Sequence, residues 1–207
     1  MLDSQPTEAA VSTVSDAEKK DEYLQALKML GSIDVKGRAP KTGYSRDQFS
    51  NGWKDFDGDG CDERNGTLQR DLVEIEFKPG TQECVVLAGI FHDPYTGKTI
   101  NFVRGQKTSS EVQIEHVVAL SNLWQTGAQQ WDAEKRNAAA NDPLNLLASD
   151  GPTNASKGDS DAATWLPPNK AFRCDYVARQ TQVKAKYDAW MTKAEHAAIE
   201  KILTKCT

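Results

Sequence analysis

The sequence predicts an α+β fold, a small antiparallel sheet surrounded by helices, and three observations carry that reading. Two apolar runs, Cys84 to Phe91 and Thr99 to Arg104, flank the stretch HDPYTGK, whose Pro94 and Gly97 suit a reversal between neighbouring strands. Elsewhere apolar residues recur at helical spacing: Tyr23, Leu24, Leu27 and Leu30 near the start, and Phe172, Tyr176, Val183, Tyr187 and Trp190 near the end. At 207 residues with 38% hydrophobic content the chain can bury one good core. A single domain over 16–207 is therefore expected, behind a polar, disordered leader over 1–15.

Taken in order, Ser15 and Glu18 form a capping box that opens the first helix, and Gly31 stops it. Residues 36–56 are punctuated by Gly37, Pro40, Gly43 and Gly52 and are expected to wrap the body irregularly. Their aromatics, Tyr44, Phe49 and Trp53, are better explained as core anchors than as platforms for nucleobases. The stretch Asp55 to Cys61, DFDGDGC, then matches the first half of a calcium loop, with carboxylates at Asp55, Asp57 and Asp59. The match breaks further on, because the twelfth position, which should hold a bidentate glutamate, is Gly66. A glycine-rich acidic turn is the stronger expectation and a Ca²⁺ site at the three aspartates the weaker. Arg46 and Arg64 lie near this turn, where they can pair with its carboxylates or reach a substrate.

Arg64 to Leu72 reads as a helix, and after the hairpin a further strand begins at Val112. Trp124 to Ala140 reads as a helical insertion with Trp124 and Trp131 against the core. Lys170 to Trp190 is the longest helical segment, and Thr192 with Glu195 caps a final helix ending near Cys206.

The four cysteines, Cys61, Cys84, Cys174 and Cys206, show no C-x-x-C spacing, which disfavours zinc. An even count with wide spacing suggests two disulfides in an exported protein, against the rival of four buried thiols in a cytosolic one. Three connectivities are formally open, and the expected one joins Cys61 to Cys84 and Cys174 to Cys206, since each bond then ties neighbouring segments. No apolar run is long enough to span a membrane. A secreted or cell-surface location is expected, with any export signal removed.

The formal net charge is −5. That is awkward for a nucleic-acid enzyme, whose affinity comes largely from Lys and Arg neutralising phosphates. The excess is uneven: residues 1–100 hold 12 basic and 18 acidic side chains, residues 101–207 hold 13 and 12. A local basic patch is still available from Arg136, Lys157, Lys170, Arg173, Arg179, Lys184 and Lys186, although helix-borne charges usually form a solvated face.

The chemistry concentrates between Gln113 and Asp159, in QIEHVVAL, DPLNLLASD and GPTNASKGD. Glu115 and His116 interrupt an apolar strand, and strand geometry sends them to opposite faces. Both can serve one site only if the strand ends or bends there. An imidazole with a reference pKa of ~6.5 can act as a general base near neutrality. The other two histidines, His92 and His196, are distant in sequence, so a multi-histidine zinc site is disfavoured. Hard oxygen donors at Glu115 and Asn154 suit Mg²⁺, with Mn²⁺ as a substitute. A lone histidine in a strand is more often structural, and Asn154 and Lys157 could simply open a helix after Pro152, capped by Thr153 or Asn154.

The segments GCDERNGTLQRDL, DPYTGK, VQIEHVVALSNLWQTGAQQW, NDPLNLLASDGPTNASKGD and WLPPNKAFRCDY together resemble the secreted bacterial HNH endonucleases related to the C-terminal domain of the GmrSD restriction enzymes. The resemblance covers about residues 51–206 and implies a ββα-metal core, with the catalytic core at about 84–165. It implies His116 as general base, Glu115 and Asn154 as metal ligands, Asn145 as the brace of the histidine-bearing loop, and Lys157 as a contact to the scissile phosphate. Arg136, Arg173 and Arg179 are the further candidates for substrate binding. The sequence departs from the family label with Glu115 where aspartate is common and Asn154 where a second histidine is expected. The implied activity is metal-dependent hydrolysis of phosphodiester bonds by a monomer. DNA is the expected substrate ahead of RNA, with little sequence specificity because no zinc finger or helix-turn-helix is present. The rival from another class is a noncatalytic extracellular binding module with a relict motif, stabilised by calcium at Asp55, Asp57 and Asp59.

Overall fold

The computed structural model describes residues 15–207, so all of the expected leader except Ser15 lies outside the described residues. The architecture is mixed α+β, with two small antiparallel sheets among seven helices of the described residues. Helix α1 (Asp16–Leu30) is opened by the Ser15/Glu18 capping box. It packs on α6 (Arg173–Lys186) and α7 (Lys193–Cys206), the latter opened by the Thr192/Glu195 box. These three helices bury Tyr23, Leu30, Tyr176, Ile199 and Leu203 around Tyr95, Val117 and Leu147. A fully buried ion pair, Lys184 to Glu195 at 2.6 Å, ties α6 to α7 inside that layer.

The expected single sheet is in fact two. Strands β1 (Leu72–Phe77), β2 (Val86–His92) and β3 (Thr99–Val103) form one sheet in that order, and β4 (Val112–His116) pairs with β5 (Leu146–Asp150) in the other. Strand β1 differs from the sequence expectation of a helix over Arg64 to Leu72 followed by no strand before Cys84: the helix α2 (Glu63–Asp71) runs straight into it without a turn. Leu68 of α2 and Leu72, Phe91, Phe102, Val112, Ile114 and Leu146 of the strands share one core, which joins the two sheets. The helical insertion between β4 and β5 is broken into α3 (Leu120–Gln125), a 3₁₀ turn at Ala128–Gln130, and α4 (Ala133–Asn141). Gly127, with a φ of 140°, makes the first break. Both disulfides have the expected connectivity, Cys61–Cys84 and Cys174–Cys206.

Strand β5 hands directly to the short helix α5 (Gly151–Lys157), so β4, β5 and α5 form a strand–strand–helix unit. The helix is capped by the Asp150 side chain, which accepts from the Thr153 amide, and not by Thr153 or Asn154. At the junction the Gly151 amide donates to the Glu111 carbonyl at 3.0 Å, and a Cβ there would lie 2.1 Å from the Ser110 carbonyl oxygen. Only glycine fits this approach of α5 to the chain entering β4. Gly151→Ala should therefore cost about 1–3 kcal/mol, the range of an overpacked core, read as a lower urea midpoint. A midpoint equal to that of the parent would show that the junction is free to move.

Candidate functional site at the end of strand β4

Strand β4 is held in register by Glu115 opposite Leu147 and His116 opposite Leu146, and it terminates at His116. Asn145 makes the termination sharp. Fully buried, it accepts from the Val118 amide through Oδ1 at 2.8 Å and donates through Nδ2 to the carbonyls of Val118 and Ala139. Its backbone carbonyl accepts from the Val117 amide. One asparagine thus satisfies the chain just after the histidine and anchors it to α4. The turn carrying Asn145 is itself clamped, since Arg70 and Arg179 both donate to the carbonyls of Pro143 and Leu146.

His116 is 7% exposed, and its Nε2 lies 2.9 Å from the Ala140 carbonyl. A carbonyl can only accept, so Nε2 carries the hydrogen and Nδ1 keeps its lone pair. Burial holds the ring neutral, with its pKa pushed down to about 3; the charges of Arg46 and Lys157 add to the effect and the Ala140 bond opposes it. Trp53 lies nearly parallel to the imidazole, with ring centroids 6.0 Å apart, and fixes the ring from the side.

Glu115 points into the protein. Its Oε1 accepts from the Tyr95 hydroxyl, and its Oε2 accepts from Lys157 Nζ at 2.6 Å. Lys157 Nζ also donates to the His116 carbonyl at 2.7 Å. Both side chains are 1% exposed. The expected contact of Lys157 with substrate phosphate is therefore not what the structure shows: the last turn of α5 tucks this lysine beneath the end of β4. Burial pushes the Glu115 carboxyl pKa up, and the ammonium beside it opposes that shift. Asn154, half-buried on the same helix, donates through Nδ2 to Gln113 Oε1 at 2.8 Å and leaves its Oδ1 without a partner among the described residues.

Glu115, His116 and Asn154 border one cavity of about 420 Å³, and His116 also borders a smaller one of about 110 Å³ together with Trp53. The end of the strand thus brings Glu115 and His116 to one place although they leave β4 on opposite faces. The donors suit a hard divalent cation in type: an amide oxygen at Asn154, and those lone pairs of Glu115 that Tyr95 and Lys157 do not use. The larger cavity also contains Lys41, Arg46, Ser121 and Asp159. Asp159 Oδ2 accepts from Ser121 at 2.8 Å and from Lys41 at 2.9 Å. These residues escaped the sequence reading, apart from Arg46, because they lie outside the motif or, like Ser121 and Asp159, look like ordinary polar loop residues.

The other expected contacts are placed elsewhere. Arg136 donates to the backbone carbonyls of Gln48 and Trp131, Arg173 to Pro167, and Arg179 to Leu144 as well as to Pro143 and Leu146. Each of the three guanidinium groups therefore spends donors on holding the chain; Arg173 does so through Nε alone. Lys184 and Lys186 are likewise paired, with Glu195 and Asp142. Asp55, Asp57 and Asp59 are exposed and carry ligand oxygens within 4.8 Å of one another. Their carboxylates accept from backbone amides of their own turn.

A family model, "GmrSD restriction endonucleases, C-terminal domain", matches residues 62–202. The chain belongs to this family. It is also similar to a protein of Arthroderma benhamiae described as an uncharacterized secreted protein, 34% identical over 183 residues, which cover 87% of this chain and 84% of that one. That protein is fungal, so the expectation of a bacterial source finds no support in it. A secreted relative and two disulfides fit an extracellular setting. No helix among the described residues is long and apolar enough to cross a membrane. No solved structure matches the chain.

The buried histidine has a consequence for stability. Its folded pKa lies below its unfolded value of 6.5, so between those values the unfolded chain binds more protons and stability rises with pH. The contribution is complete above pH 6.5 and is lost as pH falls toward about 3. Lowering pH from 7 to 5 should remove about 2 kcal/mol through this one group. His116→Asn, which keeps a donor for Ala140, should unfold with a correspondingly shallower pH dependence. Parallel stability–pH curves for the two proteins would show that His116 titrates normally.

Proposed function

We propose that the protein is a secreted, metal-dependent HNH endonuclease that hydrolyses phosphodiester bonds, with DNA as its first expected substrate. The observation that supports this reading best is the convergence of His116 and Asn154 on one open cavity at the end of β4, in a chain of a restriction-endonuclease domain family. In this reading β4, β5 and α5 are the ββα core. Asn154 Oδ1 and Glu115 would be the residues that hold Mg²⁺ or Mn²⁺. When bound, such an ion polarises a phosphoryl oxygen and neutralises charge on the leaving oxygen.

The chain's own residues then have separate tasks. The Nε2–H bond to Ala140 fixes the tautomer that leaves Nδ1 free to take a proton from water. The resulting hydroxide attacks phosphorus as the bond to the 3′ oxygen breaks, and the departing 3′ oxygen takes a proton from solvent water, leaving 5′-phosphate and 3′-hydroxyl ends. Asn145 holds the chain after His116 so that the ring keeps its position. Lys157 acts through Glu115 and the His116 carbonyl as a positioning residue. Burial is the main cause of the depressed basicity of Nδ1, and a phosphodiester anion in the cavity works against it by favouring the protonated ring and by offsetting the smaller field of Arg46.

One observation favours the second reading, a binding module with a relict motif: both Glu115 oxygens already have protein partners. The same assay separates the two. Supercoiled plasmid incubated with Mg²⁺ or Mn²⁺ should be nicked and linearised, and EDTA should stop it. His116→Ala should lower the rate at least ~10³-fold while circular dichroism stays that of the parent. A parent protein inert with both ions sinks the enzyme reading, and full activity in His116→Ala would remove His116 from the chemistry.

A further inference from the structure

Three cationic side chains border the larger cavity: Lys41, Arg46 and Lys157. Lys157 is buried against Glu115, and Lys41 is paired with Asp159 at 2.9 Å. Arg46 is exposed and makes no side-chain hydrogen bond or ion pair among the described residues, including none to Asp55, Asp57 or Asp59. It borders both of the cavities that His116 borders, close enough for its charge to act on that ring.

The position is built. Arg46 opens a 3₁₀ turn, Arg46–Gln48, whose end is locked by Phe49, 2% exposed. Phe49 packs edge-on against Tyr44 and Trp124, with centroids 6.4 Å away in each case. The Arg136 guanidinium donates to the Gln48 carbonyl at 2.8 Å and ties the same turn to α4. A free, solvated guanidinium is thus carried on an anchored backbone at the mouth of the site. A guanidinium presents a planar fork of donors that matches two phosphate oxygens at once, and it strengthens its bonds as charge grows on them.

We infer that Arg46 is the residue that binds the scissile phosphodiester, through two phosphoryl oxygens, next to His116. This rests on the nuclease reading for its catalytic part and on nucleic-acid binding alone for the rest. It gives an acidic chain its local cationic contact at the place where the chemistry needs one, and it replaces Lys157 in that role.

The test uses the 207-residue chain in two arms. In the first, cleavage of a fluorescent DNA oligonucleotide is followed for the parent, Arg46→Ala, Arg46→Lys and, as a control for loss of one surface charge, Lys201→Ala on α7. Arg46→Ala should lose about 10²–10³-fold in kcat/KM, mostly in kcat, with Arg46→Lys recovering part and Lys201→Ala unchanged. In the second arm, affinity for the same oligonucleotide and its RNA counterpart is measured by anisotropy without added metal, which needs no turnover. Arg46→Ala should bind at least ~10-fold more weakly, with a shallower salt dependence than the parent. Cleavage or binding by Arg46→Ala at the parent's level overturns the assignment. If the parent does not cleave, the enzyme reading fails and the second arm still decides Arg46; a parent that binds neither oligonucleotide overturns it as well.

Discussion

The site depends on one buried ion pair. Lys157 and Glu115 lie 42 residues apart and are almost wholly withdrawn from water. Either charge alone in that position would be strongly unfavourable, so each requires the other. The lysine comes from α5 and the glutamate from β4, and the ammonium spends a second hydrogen bond on the carbonyl of His116. The pair therefore determines where α5 sits relative to the strand end. With α5 in place, Asn154 faces the same cavity as His116, and its amide is held by Gln113 one strand position pair away from Glu115.

The surrounding layers can be understood as supports for this arrangement. Tyr95, fully buried, meets Glu115 from the β2–β3 turn and packs edge-on against Tyr176 of α6. Gly151 lets α5 approach the chain entering β4. Asn145 closes the strand immediately beyond the histidine, and two arginines close the turn that presents Asn145. Arg136, Arg173 and Arg179 each donate to backbone carbonyls, whereas Arg46 is exposed and borders the same cavities as His116. The net charge of −5 is consistent with a protein that keeps its cationic contacts few and local.

Local signals were legible in the sequence. The Ser15/Glu18 and Thr192/Glu195 boxes open α1 and α7, because each is decided within four residues. The hairpin around Pro94 and Gly97 and the pairing of the cysteines were also readable, the latter because each bond joins segments near in the chain. Strand β1 escaped although Val73, Ile75 and Phe77 alternate with Glu74 and Glu76, since it follows α2 without a turn to mark the change of period. The site was legible as a set of residue types and not as a set of roles. A lysine after a helix-opening proline looks like a solvated or phosphate-binding group; only the fold reveals that a buried glutamate 42 residues earlier claims it. Arg46 is the converse case, an ordinary loop arginine until the chain places it against His116.

Lys157 and Glu115 form a structural unit, and a double-mutant cycle measures their coupling most directly. Glu115→Gln, Lys157→Met and the double variant would be unfolded in urea beside the parent. Each single change should cost about 3–5 kcal/mol, and the double change little more than one of them, because the partner left unpaired in each single variant is gone. Losses below about 1 kcal/mol for the single variants, or losses that simply add in the double variant, would contradict the account.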